Sequence, residues 1–374
     1  MSSWRYCNPV DLRFGNGVID QIGSVIGGRR YLLVTHPDAP MLKWRERVIA
    51  LAGEPVATID GIEPNPSLQM LESICARFGA LADQVELVVA LGGGSVIDSA
   101  KFLAAGHLAF EPTRASLEGG ADLAQPAWPL VAIPTTAGTG SDLTKWATIW
   151  DPATDRKLSL NRDDLYARVA LVDPDITASL PWSMTLATGL DALSHALESL
   201  WNRNANPASR RHAVSAAREI LLALPQLRED PSRTSARTSM ALGATFAGLA
   251  FSSTQTALAH NISYPITLKH GVVHGIACSF CLPEVMVAAR GISPDCDAAL
   301  AEVFGGLDRA PERLRSFLDD LGVVSTPAQM GIDRDEWIAI VRDAFAGPRG
   351  RNFIGTIDGF PEFPVHDPSS QGAR

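Results

Sequence analysis

The chain has 374 residues, of which 46% are hydrophobic and 20% are charged, and its formal net charge is -9 at pH 7. This length can accommodate two domains, each with its own hydrophobic core. The acidic balance argues against a nucleic-acid partner, because binding to phosphates needs a basic face. The longest apolar stretches are about ten residues, too short to span a bilayer.

The cysteine usage and the N-terminus indicate the compartment. The chain has five cysteines, which are Cys7, Cys75, Cys278, Cys281 and Cys296. A small, odd number of scattered cysteines indicates reduced thiols and not a disulfide framework. The N-terminal residues show no apolar run behind a basic start, unlike a signal peptide. We therefore expect a soluble, cytoplasmic protein with no membrane partner.

Short apolar runs rich in Val, Ile and Leu alternate with helical patterns in the first half of the chain. The runs are RYLLVT (30–35), EPVATID (54–60), ELVVALGGG (86–94), PLVAIPTT (129–136) and VALVDP (169–174). Strands that alternate with helices predict a parallel sheet covered on both faces. After Pro174 the pattern becomes helical almost throughout, so we expect a domain boundary near residues 175–180.

The third apolar run leads into a glycine-rich loop. Gly92, Gly93, Gly94 and Ser95 follow it and precede the helical pattern SVIDSAKFLAA. Glycines let a backbone approach a pyrophosphate closely, and a helix N-terminus offers free N–H groups and a favourable dipole. The loop is neither a Walker loop nor a G-x-G-x-x-G fingerprint. Taken alone, it is equally typical of a tight strand-to-helix turn.

A second polar loop follows the fourth apolar run, in IPTTAGTGSDLTKWATIWD. It offers the hydroxyl groups of Thr135, Thr136, Thr139, Ser141 and Thr144. Hydroxyls and exposed N–H groups suit ribose and phosphate oxygens, although a Thr-rich capping loop would look similar. Two such loops at the carboxyl ends of parallel strands are typical of a nucleotide site in an open α/β sheet.

The helical pattern TGLDALSHALESL contains Asp191 and His195, four residues apart. This spacing puts both side chains on one helix face. A surface Asp–His pair is the simpler interpretation of the motif alone. The run is apolar and rich in alanine, however, so this face is predicted to be buried, where a carboxylate needs a partner.

Three histidines, His260, His270 and His274, lie in AHNISYPITLKHGVVHG (259–275). Together with Asp191 and His195, His260 and His274 would supply one carboxylate and three imidazoles. Imidazole suits iron, zinc and nickel, and a carboxylate keeps iron plausible. An open coordination position on such an ion could polarise a substrate oxygen.

An alternative metal site uses the same segment. His270, His274, Cys278 and Cys281 resemble a short His/Cys zinc cluster. Both cysteines fall in the apolar run IACSFCLP, however, where free cysteine packs as a small hydrophobe.

Ordered motifs along most of the chain resemble the iron-containing (group III) alcohol dehydrogenase family. They are LRFGNG, EPNPS, GGGSVIDSAK, PTTAGTGSD, VDPD, GLDALSHALES and AH…HG. The resemblance implies an α/β dinucleotide-binding domain (1–177) with a Rossmann-like parallel sheet and an all-α catalytic domain (178–374). This is a dehydroquinate synthase-like architecture, with the site in the cleft between the domains.

The resemblance also implies functional residues. The metal, Fe2+ or alternatively Zn2+ or another divalent ion, would be bound by Asp191, His195, His260 and His274. NADPH or NADH would be bound by Gly93, Gly94, Ser95, Asp98, Thr135, Thr136, Thr139, Thr144 and Lys157. A homodimer is expected from the apolar helices and from the family.

Within the family, NISYPITLKHGVVHG and TKWATIWD are most similar to the phosphonoacetaldehyde reductase branch. Lys145 and Trp146 follow the second loop, and we expect them near the substrate together with Tyr264. Many relatives carry another histidine where Tyr264 stands, so their proton relay does not transfer to this chain. Lys145 and Lys269 could clamp a phosphonate, although each is equally typical of a solvated surface lysine.

The cofactor preference depends on the residue after the first long strand. Relatives that prefer NAD often carry an acid there, whereas this chain has His36 in VTHPD. An imidazole repels a 2′-phosphate less than a carboxylate does, which favours NADPH. Asp38 could still reach the ribose, so NADH stays open.

The expected function is a metal-dependent, NAD(P)-linked alcohol dehydrogenase or aldehyde reductase acting on a small substrate, in which His270 passes a proton or is simply a solvated loop residue. The alternatives are a general short-chain alcohol dehydrogenase and a zinc-dependent glycerol dehydrogenase or dehydroquinate synthase-like enzyme. A synthase would need a denser basic site than this sequence offers. A noncatalytic metal- or nucleotide-binding module would leave the combination of two nucleotide loops and a ligand set unexplained.

Overall fold

A computed structural model describes residues 3–154, 156–324 and 326–361 of the chain. Contacts between residues divide it into two compact units. The α/β unit comprises Asn8–Pro181 and Ser232–Ala241. The helical unit comprises Trp182–Pro231, the described residues from Leu242 onward and those up to Cys7.

The α/β unit contains a parallel sheet and a separate hairpin. Its strands are β1 Asp11–Phe14, β2 Tyr31–Thr35, β3 Ala57–Ile59, β4 Leu87–Gly92, β5 Leu130–Pro134, β6 Trp146–Asp151, β7 Arg156–Asn161 and β8 Val169–Val172. Within the described chain, six strands pair in parallel in the order β1-β8-β5-β4-β2-β3, while β6 and β7 pair antiparallel. The predicted parallel sheet is therefore confirmed.

The helices before residue 120 cover this sheet. They are α1 Ile22–Ile26, α2 Ala39–Ala52, α3 Leu68–Phe78, α4 Gly94–Gly106 and α5 Phe110–Leu117. In β2, Leu32 and Val34 belong to one buried core cluster, whereas Tyr31 and Leu33 belong to another. Successive side chains of a strand point to opposite faces, so the sheet is covered on both sides. Burying each such side chain stabilises the fold by about 1.5–3 kcal/mol.

The two polar loops lie at the same edge of the sheet. Gly92, the last residue of β4, pairs with Pro134, the last residue of β5. A Cβ atom on Gly94 would lie 2.8 Å from Oγ1 of Thr139, so any other residue here would displace the Thr139 side chain of the second loop. The chain leaves β2 towards β3 and leaves β4 towards β5, so the topological switch point lies between β2 and β4, next to the first of these loops.

A buried lysine braces the second loop from beneath. Lys101 of α4 is 0% exposed, and its Nζ donates to the carbonyl oxygens of Ser141 (2.6 Å), Thr144 (2.8 Å) and Trp146 (2.9 Å). Burial lowers the pKa of Lys101 to about 8, while Asp98 and Asp142 counteract this shift. Lys101, Asp98 and Asp142 therefore form a buried group of ionisable side chains, in which the two carboxylates stabilise the charge of the lysine.

The helices that begin after Pro181 build the helical unit, except that the first part of α8, up to Ala241, belongs to the α/β unit. Their bounds are α6 Trp182–Leu200, α7 Pro207–Glu229, α8 Thr234–Thr254, α9 Leu258–His270, α10 His274–Ser279, α11 Leu282–Ala289, α12 Pro294–Phe304, α13 Ala310–Asp320 and α14 Arg334–Ala346. Asn206 caps α7 in a capping box with Ser209, and Pro207 occupies its first position. No helix in the part of the chain that the structure describes has the length and apolar character needed to cross a membrane.

We predict that Lys101→Met destabilises the protein. The substitution keeps the unbranched apolar part of the side chain but leaves Asp98 and Asp142 buried without the nearby cation and three carbonyl groups without their donor. The expected loss is about 3–5 kcal/mol in the free energy of unfolding. Urea denaturation followed by tryptophan fluorescence measures the loss. Lys43→Met, at an exposed lysine of α2, is the control, and an equal midpoint for both variants contradicts the bracing role.

Candidate metal centre

One face of α6 carries three ionisable side chains. Asp191, His195 and Glu198 occupy positions i, i+4 and i+7, which lie one above another along a helix. Their exposures are 6%, 5% and 0%, respectively. The face that the sequence predicted to be buried is therefore buried, and it holds one more carboxylate than the sequence interpretation assigned to the site.

The chain reversal after α9 brings two further histidines to this face. His260 lies in the first turn of α9, whereas His274 is the first residue of α10. Gly271 ends α9 in the left-handed conformation with φ 65°, which glycine adopts without strain. His260 and His274 are fourteen residues apart in the sequence, but their ring centres lie only 5.5 Å apart in space.

A close backbone approach fixes α10 against α6. A Cβ atom on Gly275 would lie 1.8 Å from the carbonyl oxygen of Ala187, so no other residue fits at this position without a shift of the helices. The hydroxyl of Ser194 also donates to the carbonyl oxygen of Cys278 at 3.2 Å. These contacts hold His274, which is next to Gly275, beside the polar face of α6.

The three predicted imidazole ligands converge on the fourth predicted ligand, the carboxylate of Asp191. Asp191 Oδ1 lies 3.3 Å from Nε2 of His260, 3.7 Å from Nε2 of His195 and 3.9 Å from Nε2 of His274. Donor atoms bound to one ion at about 2.0–2.2 Å are separated from one another by roughly 3–4 Å. The donor types and their distances from Asp191 Oδ1 thus fit a divalent cation, although among the described residues His195 is not part of the group whose ligand atoms all lie close to one another.

A thiol also approaches this group. The ligand atoms of Asp191, His260, His274 and Cys278 all lie within 4.8 Å of one another. Cys278 is 0% exposed, as its apolar surroundings predicted, and its Sγ is 3.8 Å from Asp191 Oδ1. Burial and the nearby carboxylate of Asp191 raise the pKa of the Cys278 thiol well above its ordinary value.

Glu198 orients the histidine at the centre of the group. Its Oε2 accepts from Nδ1 of His260 at 2.7 Å and from the backbone N–H of Ala257 at 2.7 Å. Its Oε1 accepts from the backbone N–H of His260 at 3.1 Å. Because an ionised carboxylate only accepts, Nδ1 of His260 carries its proton and Nε2 is left to bind a cation.

The electrostatics of this group of side chains favour a positive charge at its centre. Burial alone would raise the pKa of Asp191, but the neighbouring imidazoles of His195, His274 and His260 lower it far below its ordinary value. Burial acts against the charged form of His260, yet Glu198 and Asp191 raise its pKa to about 9. Two buried carboxylates thus attract a proton or a metal cation to the same place.

The alternative His/Cys zinc cluster is divided by the fold. Among the described residues, the group of close ligand atoms includes His274 and Cys278 but neither His270 nor Cys281. Nε2 of His270 instead lies 2.9 Å from Oε1 of Glu336 on α14, which Lys269 also contacts at 2.5 Å.

The predicted substrate residues fall into two places. The ring of Tyr264 is stacked against the ring of His274, with ring centres 6.2 Å apart and planes 9° from parallel. Lys145 and Trp146 belong to the α/β unit, where Nζ of Lys145 bonds Oδ1 of Asp163 at 2.7 Å and Trp146 begins β6.

The predicted cofactor residues surround the two polar loops of the α/β unit. Gly93 is the N-cap of α4, and Gly94 and Ser95 form its first turn. Thr135, Thr136 and Thr139 follow β5. Three further predicted residues follow. Asp98 Oδ2 accepts from the backbone N–H of Thr148 at 2.9 Å, and Nζ of Lys157 lies 5.4 Å from the ring of Trp150. Thr144 is fully buried, with 0% of its surface exposed.

Comparisons with known proteins agree with these two units. The family described as "Iron-containing alcohol dehydrogenase" matches residues 9–174, and its C-terminal counterpart, "Fe-containing alcohol dehydrogenase family, C-terminal", matches residues 185–354. Long-chain-alcohol dehydrogenase 1 of Geobacillus thermodenitrificans is 32% identical over 365 residues, which are 92% of this chain and 91% of that protein.

The names of two further relatives each contain an anionic aldehyde. Phosphonoacetaldehyde reductase of Streptomyces viridochromogenes is 35% identical over 263 residues, covering 65% of this chain and 66% of that protein. The crystal structure of sulfoacetaldehyde reductase from Bifidobacterium kashiwanohense in complex with NAD+ superimposes with a TM-score of 0.87, at 27% identity and 96% coverage of both chains.

We predict that Glu198→Gln weakens metal binding by roughly 10- to 100-fold, the usual effect of losing a carboxylate that orients a ligating histidine. Both carboxylate oxygens of Glu198 accept hydrogen bonds, whereas the NH2 group of glutamine cannot accept one. At least one of these bonds is therefore lost, and His260 is held less firmly. Competition for Zn2+ or Co2+ against a chromophoric chelator measures the affinity. Glu229→Gln, at an exposed glutamate of α7, is the control, and equal affinities for the two variants contradict the orienting role.

Proposed function

The chain belongs to the iron-containing alcohol dehydrogenase family, which makes it an NAD-dependent oxidoreductase, and we propose that it reduces a small aldehyde to a primary alcohol with a metal-assisted hydride transfer. The observation that supports this most directly is the convergence of three imidazoles on the carboxylate oxygen Oδ1 of Asp191. The reaction consumes one aldehyde, one reduced nicotinamide and one proton, and it yields the alcohol and the oxidised cofactor.

The side chains of the helical unit have distinct roles in this proposal. Asp191, His195, His260 and His274 would hold the cation, which would supply Lewis acidity, and the bound nicotinamide would supply the hydride. Glu198 keeps His260 in the tautomer that presents Nε2. The burial of this face limits access of water, which strengthens electrostatic interactions with the developing charge.

The remaining roles are proposals of the same kind. The two glycine- and threonine-rich loops bind the nucleotide, so residues 1–177 serve the cofactor and residues 178–374 the metal. The ion is Fe2+, with Zn2+ as the alternative, and the protein acts as a cytoplasmic homodimer. Proton delivery by His270 stays a prediction, since its bond to Glu336 is also typical of a purely structural histidine.

For the substrate we propose phosphonoacetaldehyde, reduced to 2-hydroxyethylphosphonate. The sequence similarity to the Streptomyces reductase and the structural similarity to a sulfoacetaldehyde reductase support an anionic two-carbon aldehyde. The two lysines considered as clamps are each bonded to a carboxylate, Lys145 to Asp163 and Lys269 to Glu336. These ion pairs make both lysines weaker candidates for binding the phosphonate.

Anaerobic assays with Fe2+ test this function. We expect the wild-type protein to oxidise NADH or NADPH in the presence of phosphonoacetaldehyde, and more slowly with butanal. His260→Ala should lower kcat by at least about 100-fold, because several kcal/mol of charge stabilisation depend on the cation. His212→Ala, at a histidine of the same unit that packs against Tyr6, is the control. Normal turnover by His260→Ala, or a preference for butanal, contradicts the respective part of the proposal.

The cofactor preference gives a separate prediction. His36 follows β2, and burial lowers its pKa, so its ring is neutral at pH 7 and does not repel a 2′-phosphate. We expect the wild type to accept NADPH, and His36→Asp to lower kcat/KM for NADPH relative to NADH by roughly tenfold, equivalent to about 1.4 kcal/mol. Asp38→Asn should shift the ratio the other way. An unchanged ratio in His36→Asp would show that this residue does not meet the ribose.

A further inference from the structure

A guanidinium group lies one aromatic ring away from the candidate metal centre. The Cζ atom of Arg349 lies 5.6 Å from the ring centre of Tyr264. The same ring is stacked on His274, with 6.2 Å between ring centres. Tyr264 is thus in contact both with one of the proposed ligands and with Arg349.

One contact holds the guanidinium of Arg349, and a second holds the segment that carries it. An Nη atom of Arg349 donates to Oγ1 of Thr256 at 2.6 Å, and Thr256 is only 5% exposed. The side chain of Asn352, three residues further on, donates to the carbonyl oxygen of Thr256 at 2.9 Å. The segment that carries Arg349 is therefore attached to the start of α9, the helix of His260, and the cation is preorganised.

The charge of Arg349 is not neutralised within the described residues. No ion pair between Arg349 and a carboxylate is present in that part of the chain, whereas Lys145 and Lys269 each have one. Arg349 is half-buried, and a partly desolvated cation favours a counter-ion. Guanidinium has five N–H donors in a planar fork, of which Thr256 accepts one, so further donors suit an oxyanion.

We propose that Arg349 is the specificity-determining residue of the active site, and that it binds a tetrahedral oxyanion at the end of a short aldehyde substrate. This inference rests on the proposed function, because it assigns the substrate tail at the same site. Phosphonate and sulfonate share the required chemistry: both present several oxygens that match the guanidinium fork. The dianionic phosphonate should bind more tightly than the monoanionic sulfonate.

The test compares Arg349→Met with Arg351→Met, an exposed arginine of the same segment that donates to the carbonyl oxygen of Ala346. We expect Arg349→Met to lower the ratio of kcat/KM for phosphonoacetaldehyde over that for propanal by roughly 10- to 100-fold. The loss should be mainly in KM, and smaller with sulfoacetaldehyde. Arg349→Lys should restore part of the ratio. An unchanged ratio, or an equal loss of the ratio in Arg351→Met, overturns the proposal.

A binding measurement separates this inference from the proposed reaction. Calorimetric titration of the wild-type holoprotein with 2-hydroxyethylphosphonate, and separately with 2-hydroxyethanesulfonate, needs no turnover. Binding that is weakened in Arg349→Met supports the anion site even if no aldehyde is reduced, in which case only the proposed reaction fails. Equal affinities of the wild type and Arg349→Met for both anions overturn the assignment of Arg349 even if the enzyme reduces phosphonoacetaldehyde.

Discussion

Two buried carboxylates on one helix face, Asp191 and Glu198, set the main constraint on the helical unit. Neither can remain ionised without a cation or strong hydrogen bonds, because the interior solvates charge poorly. His260 lies between them, 2.7 Å from Glu198 through Nδ1 and 3.3 Å from Asp191 through Nε2. The face is therefore arranged for a positive charge, and the surrounding imidazoles make a divalent metal ion the chemically suitable one.

The backbone around this face is as specific as its side chains. Gly271 allows the reversal that brings His274 next to His260, and Gly275 allows α10 to approach the carbonyl oxygen of Ala187. A comparable use of buried charge stabilises the α/β unit, where Lys101 gathers three carbonyl groups beneath the second polar loop. In both units, a buried ionic group defines the shape of the segment proposed to bind a ligand.

Family membership and substrate choice depend on different parts of the chain. The family extends over both units, and its members carry names for substrates as different as long-chain alcohols, methanol and phosphonoacetaldehyde. The common architecture therefore does not define the substrate. Side chains beyond the ligand set differ in this respect, and the proposed recognition of the substrate tail depends on Arg349, which lies over the ring of Tyr264.

The sequence by itself determined the elements whose signals are local. The apolar runs at β2, β3, β4, β5 and β8 predicted the parallel sheet, because strands that are buried on both faces are nearly continuous apolar runs. It also indicated Asp191 and His195 on one face of α6, since helical spacing fixes their neighbourhood. The same spacing reaches Glu198, so the sequence contained a signal for the third member of that face.

Only the tertiary structure decided that Glu198 binds His260, that Cys278 joins the ligand group while His270 pairs with Glu336, and that Arg349 lies over the ring of Tyr264. These contacts join residues far apart along the chain, and their formation depends on helix packing and chain reversals that no local periodicity encodes.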